Sequence, residues 1–312
     1  MENIVVSVAM ATYNGDKYLR EQLDSIYAQT HQKLEVIVCD DGSVDNTASI
    51  LEEYKQKHGL SYNVNESNLK VVKNFEKAIL QCTAPYIALS DQDDVWLPGK
   101  IEKSLKKILE LELQYGAHVP LLIFTDLTVV DDRLHILHPS LWKHQKIAPQ
   151  NMMFNRLLVE NVITGCTILM NQTLAKLAFP APGEVIMHDV WLGLVSSYFG
   201  HISYVPETTV LYRQHSNNTI GIKKPAIWKR LQKFLYNINQ PDYYFFSNEL
   251  KQAQAFKTKY FYLLNNHSKQ KDILSSFIAC KHAGFFQRKF IILKYRFFGN
   301  TLKRTLNILA RF

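Results

Sequence analysis

Early in the chain, three strand-length apolar runs each empty directly into a polar cluster, and this limits the possible folds more than any other feature. Residues 5–11 lead into Asn14-Gly15-Asp16, residues 34–39 into Asp40-Asp41-Gly42-Ser43, and residues 85–89 into Ser90-Asp91-Gln92-Asp93-Asp94. Helical spacing fills the intervals. Tyr18, Leu19, Leu23 and Ile26 recur on one face, then Ile50, Leu51 and Tyr54 follow a cap at Ser43 or Asp45, and residues 68–81 form a third helix. A weaker strand is expected at 60–64. Strands alternating with short helices build βαβ units on a parallel sheet covered on both faces. Ligands bind such sheets outside the carboxyl ends of the strands, so residues 12–16, 40–43 and 90–94 should share one rim.

The third cluster is the most demanding chemically. Asp91, Asp93 and Asp94 put three carboxylates within four residues of a buried strand. Like charges at that spacing repel, and burying even one ionised carboxylate costs several kcal/mol, roughly, unless a positive partner offsets it. A divalent cation such as Mg²⁺ or Mn²⁺ suits oxygen ligands of this kind. The plainer reading is a solvated acidic turn capping the helix that starts near Lys100.

Farther along, strands are expected at 121–125 and 127–130, with an irregular histidine-bearing loop at 135–149 and a helix over 152–159. Residues 163–170 read as a strand opened by Gly165. His188-Asp189-Val190-Trp191 starts a helix, and short strands at 202–205 and 209–211 precede Tyr212-Arg213-Gln214-His215. From about residue 223 only helical periodicity remains, broken near 239–242 and 265–268. The expected division is therefore 1–222 and 223–312.

The 312 residues are 47% hydrophobic and 21% charged, enough apolar material for a sizeable core. The four cysteines are scattered, without metal-ligand spacing; Cys39 and Cys82 read as small buried hydrophobes of a reducing compartment. The first apolar run reads as a strand rather than a secretion leader, and no apolar window is long enough to span a bilayer. A cytoplasmic chain is expected. A P-loop pattern is absent, and so is the Gly-rich basic loop a nucleotidyltransferase would carry after its first strand. A non-catalytic ligand-binding scaffold of the same fold stays open.

Together the stretches Ala11-Thr12-Tyr13-Asn14-Gly15, Cys39-Asp40-Asp41-Gly42-Ser43, Ser90-Asp91-Gln92-Asp93-Asp94, His188-Asp189 and Tyr212-Arg213-Gln214-His215 give the chain a resemblance to the glycosyltransferase family 2 enzymes. It is most similar to the bacterial rhamnosyltransferase-like branch, over roughly residues 4–221. The resemblance implies a GT-A fold, a Rossmann-like α/β sheet whose rim holds a nucleotide-sugar. It implies that Thr12, Tyr13 and Asn14 border the donor and that Asp41 accepts a hydrogen bond from a pyrimidine N–H. Asp91 would meet the ribose or the metal, Asp93 and His215 would hold the metal, and Arg213 would pair the diphosphate. Asp189 would be the base of an inverting displacement, which needs one base and no protein nucleophile; its plain alternative is a helix cap. The donor favoured by the branch is dTDP-rhamnose, with a UDP-sugar as the alternative. The acceptor would be a glycan or lipid-linked glycan of a cell-surface polysaccharide.

The tail has its own signature. After Asp272 no acid occurs, and Lys281, Arg288, Lys289, Lys294, Arg296, Lys303, Arg304 and Arg311 account for the whole formal charge of +8. Phe286, Phe290, Leu293, Phe297, Phe298, Leu302, Leu306 and Leu309 recur among them, with Gly299-Asn300 as a break. This is the pattern of a basic amphipathic helix or helix pair resting on an anionic membrane surface. The competing reading packs those apolar residues on the catalytic domain. Nucleic acid is not an expected partner, because the tail carries no recognition motif.

Overall fold

Alternate residues of the first strand, β1 (Val6–Thr12), enter two different cores. Val6, Val8 and Met10 face one and Ala9 faces the other. A strand buried on both faces has no polar side to show, which is why the run reads as continuously apolar. The computed structural model describes residues 3–215 and 246–311. In chain order after β1 come α1 (Asp16–Tyr27), β2 (Leu34–Asp40), α2 (Thr47–His58), β3 (Ser61–Val64), α3 (Lys70–Gln81) and β4 (Tyr86–Ser90). Then follow β5 (Val95–Trp96), α4 (Lys100–Tyr115), β6 (Leu121–Val130), β7 (Ile136–His138), α5 (Leu141–Gln145), α6 (Phe154–Leu157), β8 (Leu169–Asn171), α7 (Gln172–Ala178), α8 (His188–Phe199) and β9 (His201–Arg213).

The strands form one sheet in the order β3-β2-β1-β4-β8-β6-β9-β5, with β7 added to β6. The first four in space are parallel, as the βα alternation predicts. Beyond β4 the sheet is mixed: β8 runs antiparallel between β4 and β6, and β9 returns parallel to β6. Helices α1, α2 and α4 cover one face through Leu19, Leu23, Ile50, Leu51, Ile101 and Leu105. The other face lies under α3 and α8, through Phe75, Ile79, Trp191 and Val195.

Three local expectations change. Residues 121–125 and 127–130 are one strand, and so are 202–205 and 209–211. The β6–β9 register shifts between Thr125 and Thr128, so a bulge carries both strands past Pro206 without ending them. Residues 163–170 do not form one strand: Gly165–Thr167 is a 3₁₀ turn, and pairing begins at Leu169. The 135–149 loop contains β7 and α5.

The described C-terminal helices are α9 (Ser247–Lys259), α10 (Ser268–Ala279), α11 (Phe285–Tyr295) and α12 (Leu302–Arg311). Phe256, Phe277, Phe297 and Ile308 belong to the same core as Trp191 and Tyr198. Phe256 lies 5.5 Å from Trp191 and 5.3 Å from Tyr198, centroid to centroid. The boundary expected near residue 222 and the break at 239–242 lie outside the described residues. All four cysteines are buried. Among the described residues no helix is long and apolar enough to cross a membrane.

Candidate active site

The strand ends converge as the βα pattern predicts. Thr12 closes β1 and its hydroxyl donates to Asp40 Oδ1 at 2.8 Å. The next turn is locked to its neighbours. Tyr13 N donates to Gln92 Oε1 and Gln92 Nε2 donates back to the Tyr13 carbonyl, at 2.8 and 3.1 Å. Asn14 N donates to Ser43 Oγ, while Asn14 Oδ1 accepts from Val44 N. Asn14 takes a φ of 48°, a left-handed conformation that asparagine tolerates better than most residues.

Asp41 is almost fully buried, and its carboxylate organises the loop after β3. Oδ1 accepts from Asn65 Nδ2 and Leu69 N at 2.9 and 2.7 Å, and Oδ2 accepts from Lys70 N at 2.8 Å. A carboxylate offers about four lone-pair sites, so a place remains for one further donor. Behind it, Asn74 Nδ2 donates to the Cys39 carbonyl at 2.8 Å, and Asn65 Nδ2 also reaches Asn74 Oδ1 at 2.8 Å.

The acidic cluster does not cap α4. The N-cap there is Gly99, with no side-chain cap bond, so the solvated-turn reading fails on geometry. Asp94 is fully buried. Its Oδ1 accepts from Arg213 N at 3.1 Å, and its Oδ2 accepts no hydrogen bond from the described residues. Burial, then Asp93 and Asp91, push its carboxyl well above the usual range. Burial, then the charges of Asp93 and Asp189, raise Asp91 to about 7. These are the electrostatics of carboxylates arranged for a cation, as oxygen donors that repel until one is bound. Asp91, Asp94 and Cys166 place donor atoms within 4.8 Å of one another. Asp93 Oδ2 and His215 Nε2, 2.9 Å apart, form an adjacent donor pair. The residues therefore fit a divalent metal. The oxygen ligands favour Mg²⁺ or Mn²⁺, and burial with the neighbouring carboxylates holds the Cys166 thiol protonated.

Asp189 stands in the first turn of α8. The N-cap of that helix is Met187 and carries no side-chain cap bond, so capping does not account for the carboxylate. Asp189 Oδ1 accepts from Val190 N at 2.8 Å, and Oδ2 accepts from Asn161 Nδ2 at 3.1 Å. Asn161 is itself pinned by paired bonds with the Ile163 backbone. Burial raises Asp189 to about 6, close to the pH where a general base works best. His188 is buried against the Phe75 ring at 4.0 Å, and burial depresses its pKa to about 3, leaving it neutral beside the acid.

A cavity of about 590 Å³ connects these groups, of the size that holds a small ligand. Thr12, Tyr13, Asp41, Asp91, Asp93 and Asp189 all line it. The other expected residues stand behind the wall. Asn14 shapes the loop through Ser43 and Val44. His215 is one bond away through Asp93 and stacks on Tyr18 at 5.0 Å. Arg213, expected at a diphosphate, is only 1% exposed and does not line the cavity. Its Nε donates to the Asp93 carbonyl at 2.9 Å, Nη1 to the Asp132 carbonyl at 2.7 Å and Nη2 to Glu21 Oε2 at 2.7 Å. The guanidinium thus ties down the acidic loop through the Asp93 carbonyl. Asn161, Gln92 and the Asn65–Asn74 pair escaped the sequence reading. Gln92 sits inside a motif already singled out, whereas Asn161 has no periodicity or spacing to mark it.

A cavity on the rim of a mixed α/β sheet, lined by Asp41, Asp91, Asp93 and Asp189, is the arrangement of a GT-A-type fold. The profile of glycosyl transferase family 2 matches residues 7–176. The dTDP-rhamnosyl transferase RfbG of Shigella flexneri is 30% identical over 240 residues, 71% of this chain and 78% of that protein. TuaG of Bacillus subtilis, a putative teichuronic acid biosynthesis glycosyltransferase by its description, is 27% identical over 74% of this chain and 87% of its own length. The fold is similar to that of S. aureus TarS residues 1–349, crystallised with UDP-GlcNAc, at a TM-score of 0.59 and 17% identity over 94% of this chain and 80% of that one. The chain belongs to glycosyl transferase family 2, in its rhamnosyltransferase-like branch, and is a glycosyltransferase.

Proposed function

We propose that the protein is a metal-dependent inverting glycosyltransferase that moves a sugar from a nucleotide donor to a hydroxyl of a glycan or lipid-linked acceptor. The donor favoured is dTDP-rhamnose, supported by the likeness to RfbG. The description of TuaG supports a place in cell-surface polysaccharide synthesis. The observation that carries the mechanism is Asp189, held by Asn161 and lining one cavity with Asp91 and Asp93. Asp189 takes the proton of the acceptor hydroxyl as its oxygen bonds to the anomeric carbon. The bond from that carbon to the diphosphate oxygen breaks on the opposite face, and the configuration inverts. Asp41, with Thr12 and Tyr13, lies where a pyrimidine would be read, and Asp91 and Asp93 would hold Mg²⁺ or Mn²⁺. The metal would offset the charge that builds on the departing nucleoside diphosphate.

The UDP-bound likeness of fold keeps a UDP-sugar as the second reading. A panel of nucleotide-sugars, assayed for thermal stabilisation and for metal-dependent release of the nucleoside diphosphate, tests both. We expect dTDP-rhamnose to give the largest response. A response confined to UDP-glucose, UDP-galactose or a UDP-N-acetylhexosamine selects the alternative, and stabilisation without turnover on any acceptor points to a scaffold.

The tail supports a seat on the cytoplasmic face of the membrane. Ile291, Ile292, Phe297 and Ile308 turn inward to the core, while Phe285, Phe286, Phe290, Leu293, Leu302 and Leu306 remain exposed. The two helices are thus apolar on both sides. An outer face of aromatic and aliphatic side chains among cations, with no acid, matches an anionic lipid surface beside a lipid-linked acceptor.

A further inference from the structure

The cavity wall that carries Asn161 is clasped from behind by the C-terminal tail. Arg304, on α12, pairs through Nη1 with Glu160 Oε1 and donates from Nη2 to the Gln145 carbonyl at 2.8 Å. Glu160 Oε2 accepts from Asn300 N at 2.7 Å. Gln145 and Asn161 both line the cavity, and Asn161 follows Glu160 in the chain. Two further bonds tie the same segments together: Arg156 Nη2 to the Gly299 carbonyl at 2.8 Å, and Asn155 Nδ2 to the Tyr295 carbonyl at 2.9 Å. The seat is tight. A Cβ on Gly299 would fall 2.6 Å from Arg304 Cβ and 3.2 Å from Glu160 Oε2, so glycine is what lets the arginine reach in.

We propose that Arg304 is a positioning residue for the transfer reaction: by gripping Glu160 and Gln145 it fixes the backbone from which Asn161 presents its amide to Asp189. The inference rests on Asp189 being the base. Asn161 Nδ2 donates to Asp189 Oδ2 at 3.1 Å, a long bond whose alignment depends on where residues 160–161 are held. A base displaced by a fraction of an ångström loses rate without losing donor affinity, because neither Arg304 nor Glu160 lines the cavity itself. Lys281, Lys294, Arg296 and Lys303 are exposed, whereas Arg304 is half-buried, turned to the cavity wall, and makes the tail part of the catalytic unit.

The test uses the full chain, with release of dTDP from dTDP-rhamnose or of UDP from UDP-GlcNAc, whichever is turned over, read alongside thermal melts. Arg304→Ala should lower kcat roughly tenfold and leave the donor KM within about twofold. Arg304→Lys keeps one of the two contacts and should recover part of the rate. Glu160→Gln, which preserves the bond from Asn300, should move kcat in the same direction by less, and Asn307→Ala on the exposed side of α12 should do nothing. Wild-type kcat in both Arg304→Ala and Glu160→Gln overturns the proposal. So does a fall in rate matched by the loss of folded protein and not relieved by lysine. Asp189→Asn separates the two claims: if that variant turns over normally the base reading fails, and if it is dead while Arg304→Ala is normal only the coupling fails.

Discussion

His215 Nε2 lies 2.9 Å from Asp93 Oδ2, although 122 residues separate the two in the chain. The contact draws the end of β9 over the acidic loop, while Arg213, two residues earlier, fastens the same loop by its backbone. A metal held there would be gripped by the loop between β4 and β5 and by the residues that follow β9. Asp93→Asn should therefore cut turnover by at least about a hundredfold, since it removes charge stabilisation of the leaving diphosphate. Full activity in excess chelator would refute metal dependence.

Asp189→Asn should lower transfer about 10²–10⁴-fold with donor binding nearly intact, the usual contribution of a positioned base. Proton NMR of the product should show the anomeric configuration inverted relative to the donor, and retention would rule out a single displacement.

The rate should also depend on pH through Asp189. Its carboxyl is raised to about 6 by burial, and it works as a base only when ionised, so kcat should climb as pH passes through about 6 and flatten above it. The stability sign is opposite. A carboxyl whose folded pKa exceeds its unfolded value stabilises the fold only while protonated, and this contribution fades as pH rises from about 4 to about 6. At pH 8 the Asp189→Asn protein should consequently melt at or above the wild-type temperature. A large fall in melting temperature there would mark the residue as structural.

Arg213→Ala should destabilise the fold by about 2–4 kcal/mol, because it empties the buried space of a 1% exposed side chain and strips partners from the Asp93 and Asp132 carbonyls. Urea denaturation measures this directly. If Arg213 instead served the diphosphate, stability would hold and only the donor KM would rise.

For the tail, removing everything after residue 284 would take Ile292 and Phe297 out of the core, so point changes are the cleaner probe. Phe286→Ser combined with Phe290→Ser, both on the exposed side of α11, should weaken binding to phosphatidylglycerol vesicles by more than about tenfold at unchanged melting temperature. Binding of the intact protein should fall steeply with salt. An intact protein that ignores such vesicles would leave the outer face without the proposed partner.

Several features were legible in the sequence because their signals are local. Continuous apolar runs gave strands buried on both faces, helical spacing gave their cover, and strand-end polar clusters gave the rim where Thr12, Asp41 and Asp91 meet. The basic, acid-free tail was likewise visible in composition alone. Periodicity reports which face of an element is buried but not what lies against it, and the rest depended on that second fact. Arg213 sat in a recognisable motif, yet only packing against Glu21 and Asp132, far away in the chain, turned it under the loop. Asn161 carried no pattern at all and became part of the site because the chain brought it 3.1 Å from Asp189. The tail reads as either membrane face or core; the structure buries Ile291, Ile292, Phe297 and Ile308 and leaves Phe286, Phe290, Leu302 and Leu306 exposed. An apolar residue on a short helix is drawn inward only where a complementary surface exists, and that surface is made by the tertiary fold.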